Sequence, residues 1–321
     1  MTKILFMGTP EFASAQLRAI FEAAEENDFQ IVGVLCQPDK PKGRGYKMIP
    51  PPVKEYALSV GLPVYQPTTL RDEAFAALLS ELDPDLIVVA AYGKILPVNV
   101  LDYPKYGCIN VHGSLLPAYR GAAPIQRAIM DGLSGTGVTI MHMAAGLDTG
   151  DMIDSVRVPI SENEDFGTLY AEMGEAGARL LLSVIPRLTD GTAPRIPQDD
   201  ALSNYAAKIE KEECRLSFDT PVRILHNKIR ALSPSPLAFA LLSHAGEEKT
   251  VKFVSSVVLS EETPDAAPGT VLSLDAKKNL ISVACPDGVL GVTALVPEGK
   301  GKMTAGDFIR GRKIDAGDMF H

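Results

Sequence analysis

The chain has 321 residues, enough for two domains of ordinary size, each with its own core. Hydrophobic residues make up 46% and charged residues 22%, which excludes disordered and fibrous classes, and a net charge of −9 disfavours wholesale binding to a polyanion. The charge is uneven: residues 209–321 hold 14 Lys and Arg against 15 Asp and Glu, a net of −1, and residues 1–208 carry the remaining −8, so any contact with phosphate must come from local basic clusters.

Residues 3–8 form a short apolar run ending at Gly8, and Thr9-Pro10-Glu11 then reads as a helix start with a cap-type residue and Pro in the first turn. Lys3 before this run imitates a signal peptide, but Pro10 and Glu11 cut the apolar stretch short, so a cytoplasmic location is expected. A dinucleotide site would need G-x-G-x-x-G here. Pro10 and Ala13 stand where the second and third glycines belong, which sets a nucleotide-dependent oxidoreductase aside. Strands are expected at 30–36, 63–65, 86–92 and 108–111, and helices at 52–60 and 71–82. Continuous apolar strands alternating with helices predict a doubly wound, mostly parallel α/β sheet, a Rossmann-like domain. The longest apolar run, 86–92, falls far short of the roughly 20 residues that span a bilayer, so no membrane partner is expected.

Between residues 190 and 200 the chain mixes Pro, Gly and charge in the manner of a linker. The expected organisation is therefore a domain over 1–189, a linker over 190–208 and a smaller domain over 209–321. The last opens with a helix over 221–232, followed by strands at 237–242, 250–259, 270–274, 280–284 and 289–295. Five short strands punctuated by turns such as Cys285-Pro286-Asp287-Gly288 predict a small β-barrel, OB-like or SH3-like. Cys36, Cys108, Cys214 and Cys285 lie far apart with no C-x-x-C pair, so buried reduced thiols are expected and no metal.

The densest chemistry is Cys108-Ile109-Asn110-Val111-His112-Gly113-Ser114-Leu115-Leu116-Pro117, at the carboxyl end of an expected buried strand, where open α/β sheets bind ligands. Asn110 and His112 project to the same side of that strand. By themselves these two residues are better read as a polar pair that merely closes the strand, since satisfied histidines outnumber catalytic ones. Gly146-Leu147-Asp148-Thr149-Gly150-Asp151 is a glycine-flanked acidic loop, by itself no more than an Asx-type turn. Taken together, an amide, an imidazole and a carboxylate are the parts that acyl transfer needs.

Three runs in order, Asn110 to Pro117, Tyr119-Arg120-Gly121-Ala122-Ala123-Pro124 and Gly146 to Asp151, resemble the signature of the folate-dependent formyltransferases. Met7-Gly8-Thr9-Pro10-Glu11-Phe12-Ala13, Gln37-Pro38-Asp39-Lys40-Pro41-Lys42-Gly43-Arg44-Gly45 and Tyr205-Ala206-Ala207-Lys208-Ile209 resemble the branch that acts on methionyl-tRNA, so the likeness covers nearly the whole chain. It implies transfer of the formyl group of 10-formyltetrahydrofolate, a co-substrate, to the α-amino group of methionyl initiator tRNA by a monomeric enzyme. It assigns Asn110, His112 and Asp148 to catalysis, Asn110 and His112 holding the oxyanion while Asp148 orients the histidine and moves protons. Val88, Ala90, Tyr92, Ser114, Leu115, Leu116 and Pro117 are assigned to the folate pocket, and Arg120 and Gly121 to shaping the loop beside it. Lys40, Lys42, Arg44 and Lys47, in a Gly/Pro-rich insertion over 37–52, and Lys208 are assigned to tRNA, with the C-terminal domain as a platform for its backbone. The chain has no Trp and departs there from the family's usual tryptophan near 230–236. A formyltransferase for an amino sugar nucleotide, a 10-formyltetrahydrofolate hydrolase and a catalytically silent RNA-binding relative are the alternatives.

Overall fold

A computed structural model describes residues 1–42 and 47–321. In chain order the elements are β1 (Thr2–Gly8), α1 (Glu11–Glu22), β2 (Phe29–Leu35), the short strands β3 (Lys40–Lys42) and β4 (Lys47–Ile49), α2 (Pro52–Ser59), β5 (Val64–Tyr65), α3 (Glu73–Leu82), β6 (Leu86–Ala90) and α4 (Val98–Leu101). The central part holds β7 (Cys108–His112), β8 (Arg120–Gly121), α5 (Pro124–Met130), β9 (Gly135–His142), β10 (Met152–Pro159) and α6 (Phe166–Thr189). Last come β11 (Tyr205–Ala206), α7 (Val222–Ala231), β12 (Ala238–His244), β13 (Glu247–Ser260), β14 (Val271–Asp275), β15 (Leu280–Cys285), β16 (Gly288–Pro297), β17 (Met303–Thr304), α8 (Ala305–Arg310) and β18 (Met319–Phe320). Contacts group these into two compact units, one of residues 1–121, 136–158 and 170–206, the other of 122–135, 159–169 and 207–321.

The first unit is built on a sheet in the order β10-β9-β7-β6-β1-β2-β5. β1 pairs in parallel with β2 and β6, β2 with β5 and β6 with β7, whereas β7 and β9 are antiparallel, so the sheet is mostly parallel as expected. The unbroken apolar runs have a physical cause: every residue of β6 is buried, and so are Ile4 to Met7 of β1. From β1 the chain winds outward to β2 and β5, then returns to β6 on the other side, which opens a crevice at the carboxyl ends Gly8 and Ala90. Thr9 does not cap α1. Pro10 takes the N-cap position without a side-chain bond, while Thr9 Oγ1 donates to the Tyr92 carbonyl at 3.1 Å and accepts the Gln37 N–H at 3.3 Å.

The 24-residue α6 has no counterpart among the elements expected from sequence. Gly167, Gly174, Gly177 and the internal Pro186 dilute its helical signal. Packing overrides that propensity: Leu169, Met173, Leu181, Val184, Ile185 and Leu188 are buried on it. Gly177 sits against Val138, Val111 and the fully buried Gln16, whose Nε2 donates to the Gly174 carbonyl at 2.8 Å.

The second unit is a curled antiparallel sheet in the order β14-β15-β16-β13-β12-β18, with β17 added on β16. β12 to β16 are the five expected strands. Register shifts along the β13–β16 ladder at Phe253/Ser255, Ser255/Ser256 and Val258/Ser260 bend the long strand β13. Phe218, Phe253 and Phe320, with ring centroids 5.3 to 6.1 Å apart, fill the concave side with Val222, Leu225 and Ile229 of α7. Segment 159–169 is held to this unit by polar bonds. His226 Nε2 donates to the Glu162 carbonyl at 3.2 Å, and Arg230 Nη1 donates to those of Ser161 and Glu164 at 3.4 and 3.1 Å. Arg127 of α5 likewise donates from Nε to the Ala207 carbonyl at 3.0 Å and pairs with Glu213.

Candidate active site

β7 carries Asn110 and His112 on one face, with Asn110 partly exposed and His112 buried. His112 Nε2 donates to the Tyr119 carbonyl at 2.9 Å, which leaves Nδ1 as the free edge of the ring. That edge faces Asp148, with Nδ1 3.6 Å from Oδ2. The separation is too long for a good hydrogen bond but short enough for a charge to be felt. The imidazole and the carboxylate, 36 residues apart in sequence, therefore meet, and Asn110 stands one strand repeat away on the same face.

Asp148 lies in a left-handed conformation, φ 51°, which carries its carboxylate back toward β7. Its Oδ2 accepts the Gly121 N–H at 2.9 Å. Glycine is required at 121: φ is 122°, and a Cβ there would meet the Ala206 carbonyl at 2.7 Å. Glycine is required at 150 as well, because a Cβ would collide with the His142 carbonyl. Two glycines of the motifs thus exist for close approach of backbone. The segment after α6 is also drawn in: β11 pairs in parallel with β8, the Asn204 carbonyl accepts the Arg120 N–H at 3.1 Å, and Gln198 Nε2 donates to the carbonyls of Asp148 and Gly150, each at 2.8 Å. Sequence reasoning read this stretch as linker and missed Gln198 and Asn204, since a polar residue among Pro and Asp carries no signal of what it will touch.

The side chains of Val88, Ala90, Tyr92, Ser114 and Leu116 are buried, whereas Leu115 and Pro117 are partly exposed. Ser114 Oγ donates to the Ala118 carbonyl at 2.6 Å, and Thr139 Oγ1 accepts the Leu116 N–H at 3.1 Å, so this turn is internally satisfied. A cavity of about 670 Å³, within the usual range for small-molecule sites, lies in the first unit and is not lined by Asn110, His112 or Asp148. Its lining includes Leu101, Cys108, His142, Met143, Ala145 and Arg195, and none of the seven residues expected in the folate pocket. His142 is buried in its wall with Nε2 unpartnered among the described residues, and burial together with Arg195 lowers its pKa. All four thiols are buried and free, and desolvation pushes those of Cys108 and Cys285 up to about 12, which makes them poor nucleophiles.

Lys40 is exposed at the start of the β3–β4 hairpin, and Lys42 and Lys47 face each other as its last backbone pair. Arg44 lies outside the described residues. The root of the hairpin is fixed by Lys54 of α2, whose Nζ donates to both Asp39 oxygens at 2.8 and 2.9 Å and to Gln66 Oε1 at 2.9 Å. These bonds hold the Asp39 carboxyl below its ordinary pKa. Lys208 is exposed, 3.5 Å from Glu210. Among the described residues no helix is long and apolar enough to cross a membrane, and no group of His, Cys, Asp and Glu is arranged to hold a metal ion.

Comparison with known proteins matches residues 2–185 to the family described as formyl transferase and residues 208–313 to its C-terminal domain. Curated relatives named methionyl-tRNA formyltransferase include those of Bacillus licheniformis, 43% identical over 99% of this chain and 97% of that protein, and Symbiobacterium thermophilum, 47% identical over 100% and 95%. The fold is shared with an N-formyltransferase of Helicobacter canadensis solved with folinic acid and dTDP-3-aminofucose (TM-score 0.64, 20% identity, 91% of this chain and 99% of that one). It is shared also with HypX of Aquifex aeolicus in complex with tetrahydrofolic acid (TM-score 0.63, 20% identity, 95% of this chain), of which the chain spans about half the length. With both regions matched in order and relatives of this identity aligned nearly end to end, the chain belongs to the formyl transferase family.

Proposed function

We propose that this protein is an enzyme that transfers the formyl group of 10-formyltetrahydrofolate to the α-amino group of methionine esterified to initiator tRNA. The observation that carries the reading is the approach of Asp148 to His112 beside Asn110, in a chain whose near-full-length relatives bear the name of that activity. Asn110 donates its amide N–H to the formyl oxygen as it gains charge, and His112, whose Nε2–H is held by the Tyr119 carbonyl, supplies the second donor from Nδ1 in its doubly protonated form, facing the Asp148 carboxylate. The new C–N bond forms to the methionine amine as the bond to folate nitrogen 10 breaks. Asp148, directly or through a water, accepts the proton the amine loses and returns one to the departing nitrogen.

The folate is assigned to the carboxyl ends of β6 and β7, beside Asn110 and His112: the strand end over Val88, Ala90 and Tyr92 offers backbone groups to the pterin ring, and the turn over Ser114, Leu115, Leu116 and Pro117 closes the pocket. At the turn over 114–117 the partly exposed Leu115 and Pro117 are the side chains within a ligand's reach. Lys40, Lys42, Arg44, Lys47 and Lys208 are the proposed tRNA contacts, and residues 209–321 the platform for its backbone. The enzyme acts in the cytoplasm as a monomer.

The test supplies purified protein with 10-formyltetrahydrofolate and, in parallel, methionyl initiator tRNA, uncharged tRNA, an amino sugar nucleotide or no acceptor. Formyl transfer to the charged tRNA alone is expected. Formylation of the sugar, or release of formate at the same rate with no acceptor, would replace this reading.

A further inference from the structure

The loop over 119–121 touches both members of the His–Asp pair. The Tyr119 carbonyl accepts His112 Nε2, and the Gly121 N–H binds Asp148 Oδ2. Arg120, between them, directs its guanidinium to Gln198 and Asp200 instead. Its Nε and Nη2 donate to Gln198 Oε1 at 3.0 and 2.8 Å, and Gln198 passes the connection on through two N–H bonds to the carbonyls of Asp148 and Gly150. Both donors of the Gln198 amide are thus used, and its oxygen takes two bonds from a guanidinium that is itself 11% exposed. The outer bond from Arg120 to Asp200 ends on a carboxylate 82% exposed, so it contributes little.

A non-glycine residue at φ 51° costs roughly 1 kcal/mol or more and persists only when its surroundings over-determine it. Asp148 has two anchors of that kind, one on its carboxylate from Gly121 and one on its own carbonyl from Gln198, and both lead to Arg120, the first through the chain and the second through the Gln198 oxygen.

We propose that Gln198 is a positioning residue for formyl transfer: by joining the Asp148 and Gly150 carbonyls to the Arg120 guanidinium, it holds the Asp148 carboxylate at the free edge of His112. The proposal rests on the function given above. It separates donors from acceptor, and that gives it a sharp test. Gln198→Glu keeps an oxygen for Arg120 but sets a second oxygen against two carbonyls, so it is expected to behave as badly as Gln198→Ala, whereas a surface role would tolerate it. In both variants kcat is expected to fall about 10- to 100-fold, the scale of a displacement near 1 Å in a catalytic group. KM for both substrates should stay within about two-fold and the kcat–pH profile should move. Gln198→Asn, one methylene shorter, is expected to lie between the variants and wild type.

A second readout needs no substrate. Hydrogen exchange at the Gly121 amide, followed by NMR in the free protein at matched global stability, is expected to accelerate in the variants as Asp148 releases it. Wild-type kcat in Gln198→Ala and Gln198→Glu, a loss confined to the KM for tRNA, or unchanged Gly121 exchange would overturn the proposal. Wild-type protein inactive toward methionyl-tRNA would instead sink the functional reading, and the exchange comparison would still decide the role of Gln198.

Discussion

At the scale of single residues, the site works by fixing one edge of its histidine and leaving the other open. His112 is fixed through Nε2 and free at Nδ1, and Asn110 is partly exposed on the same face. Removing one preorganised oxyanion donor costs about 100- to 1000-fold in rate, so Asn110→Ala is expected to reduce single-turnover transfer by that factor with an unchanged melting temperature. Equal rates for variant and wild type would take Asn110 out of the chemistry. Gly150→Ala tests geometry rather than chemistry. Its new methyl would collide with the His142 carbonyl, at about 1 to 3 kcal/mol for an overpacked site, and the loop carrying Asp148 must shift. Denaturant melts and kcat should both register it; a variant with wild-type values for each would show that the loop yields freely.

At the scale of elements, two attachments matter most. The β3–β4 hairpin is rooted by Lys54, Asp39 and Gln66, with both charged side chains roughly three-quarters buried, so the pair is screened less than a surface pair. Lys54→Met leaves Asp39 unpaired and loosens the hairpin. It is expected to raise the KM for methionyl-tRNA about five-fold, equivalent to about 1 kcal/mol, with the KM for the folate unchanged. A parallel rise in both would place the effect elsewhere. Lys40→Ala should flatten the dependence of tRNA affinity on salt by about one unit of log–log slope, because one fewer counterion is released. An unchanged slope would remove Lys40 from the tRNA contact. The second attachment is the strap over 196–206, in which β11 pairs with β8 and Ile196 bridges Met152.

At the scale of the whole molecule, the second unit gathers three stretches of chain, and a buried histidine helps to hold one of them. His226 Nδ1 lies 2.9 Å from Ser256 Oγ, its Nε2 donates to the Glu162 carbonyl, and burial lowers its pKa below the ordinary value near 6.5. An unfolded chain then binds more protons than the folded one just below that value, so the contribution of His226 is complete above about pH 6.5 and is lost as pH falls toward its folded pKa. Urea unfolding followed from pH 7.5 to 5 should show stability falling on acidification, with a shallower fall in His226→Gln. Parallel curves for the two proteins would exclude His226 as the source.

The sequence by itself determined the parts with local causes. The apolar strands from Ile4 to Met7 and from Leu86 to Ala90 announce a sheet buried on both faces, the strands β12 to β16 follow from period and turn residues, and the runs around Asn110 and Asp148 name the chemistry. Only the tertiary structure decided what depends on distant chain. α6 forms despite three glycines and a proline because the sheet face needs covering, and residues 122–135 and 159–169 join the second unit through Arg127, His226 and Arg230. Gln198 lies 50 residues from the Asp148 carbonyl it binds, and no pattern of neighbours encodes a hydrogen bond across such a gap.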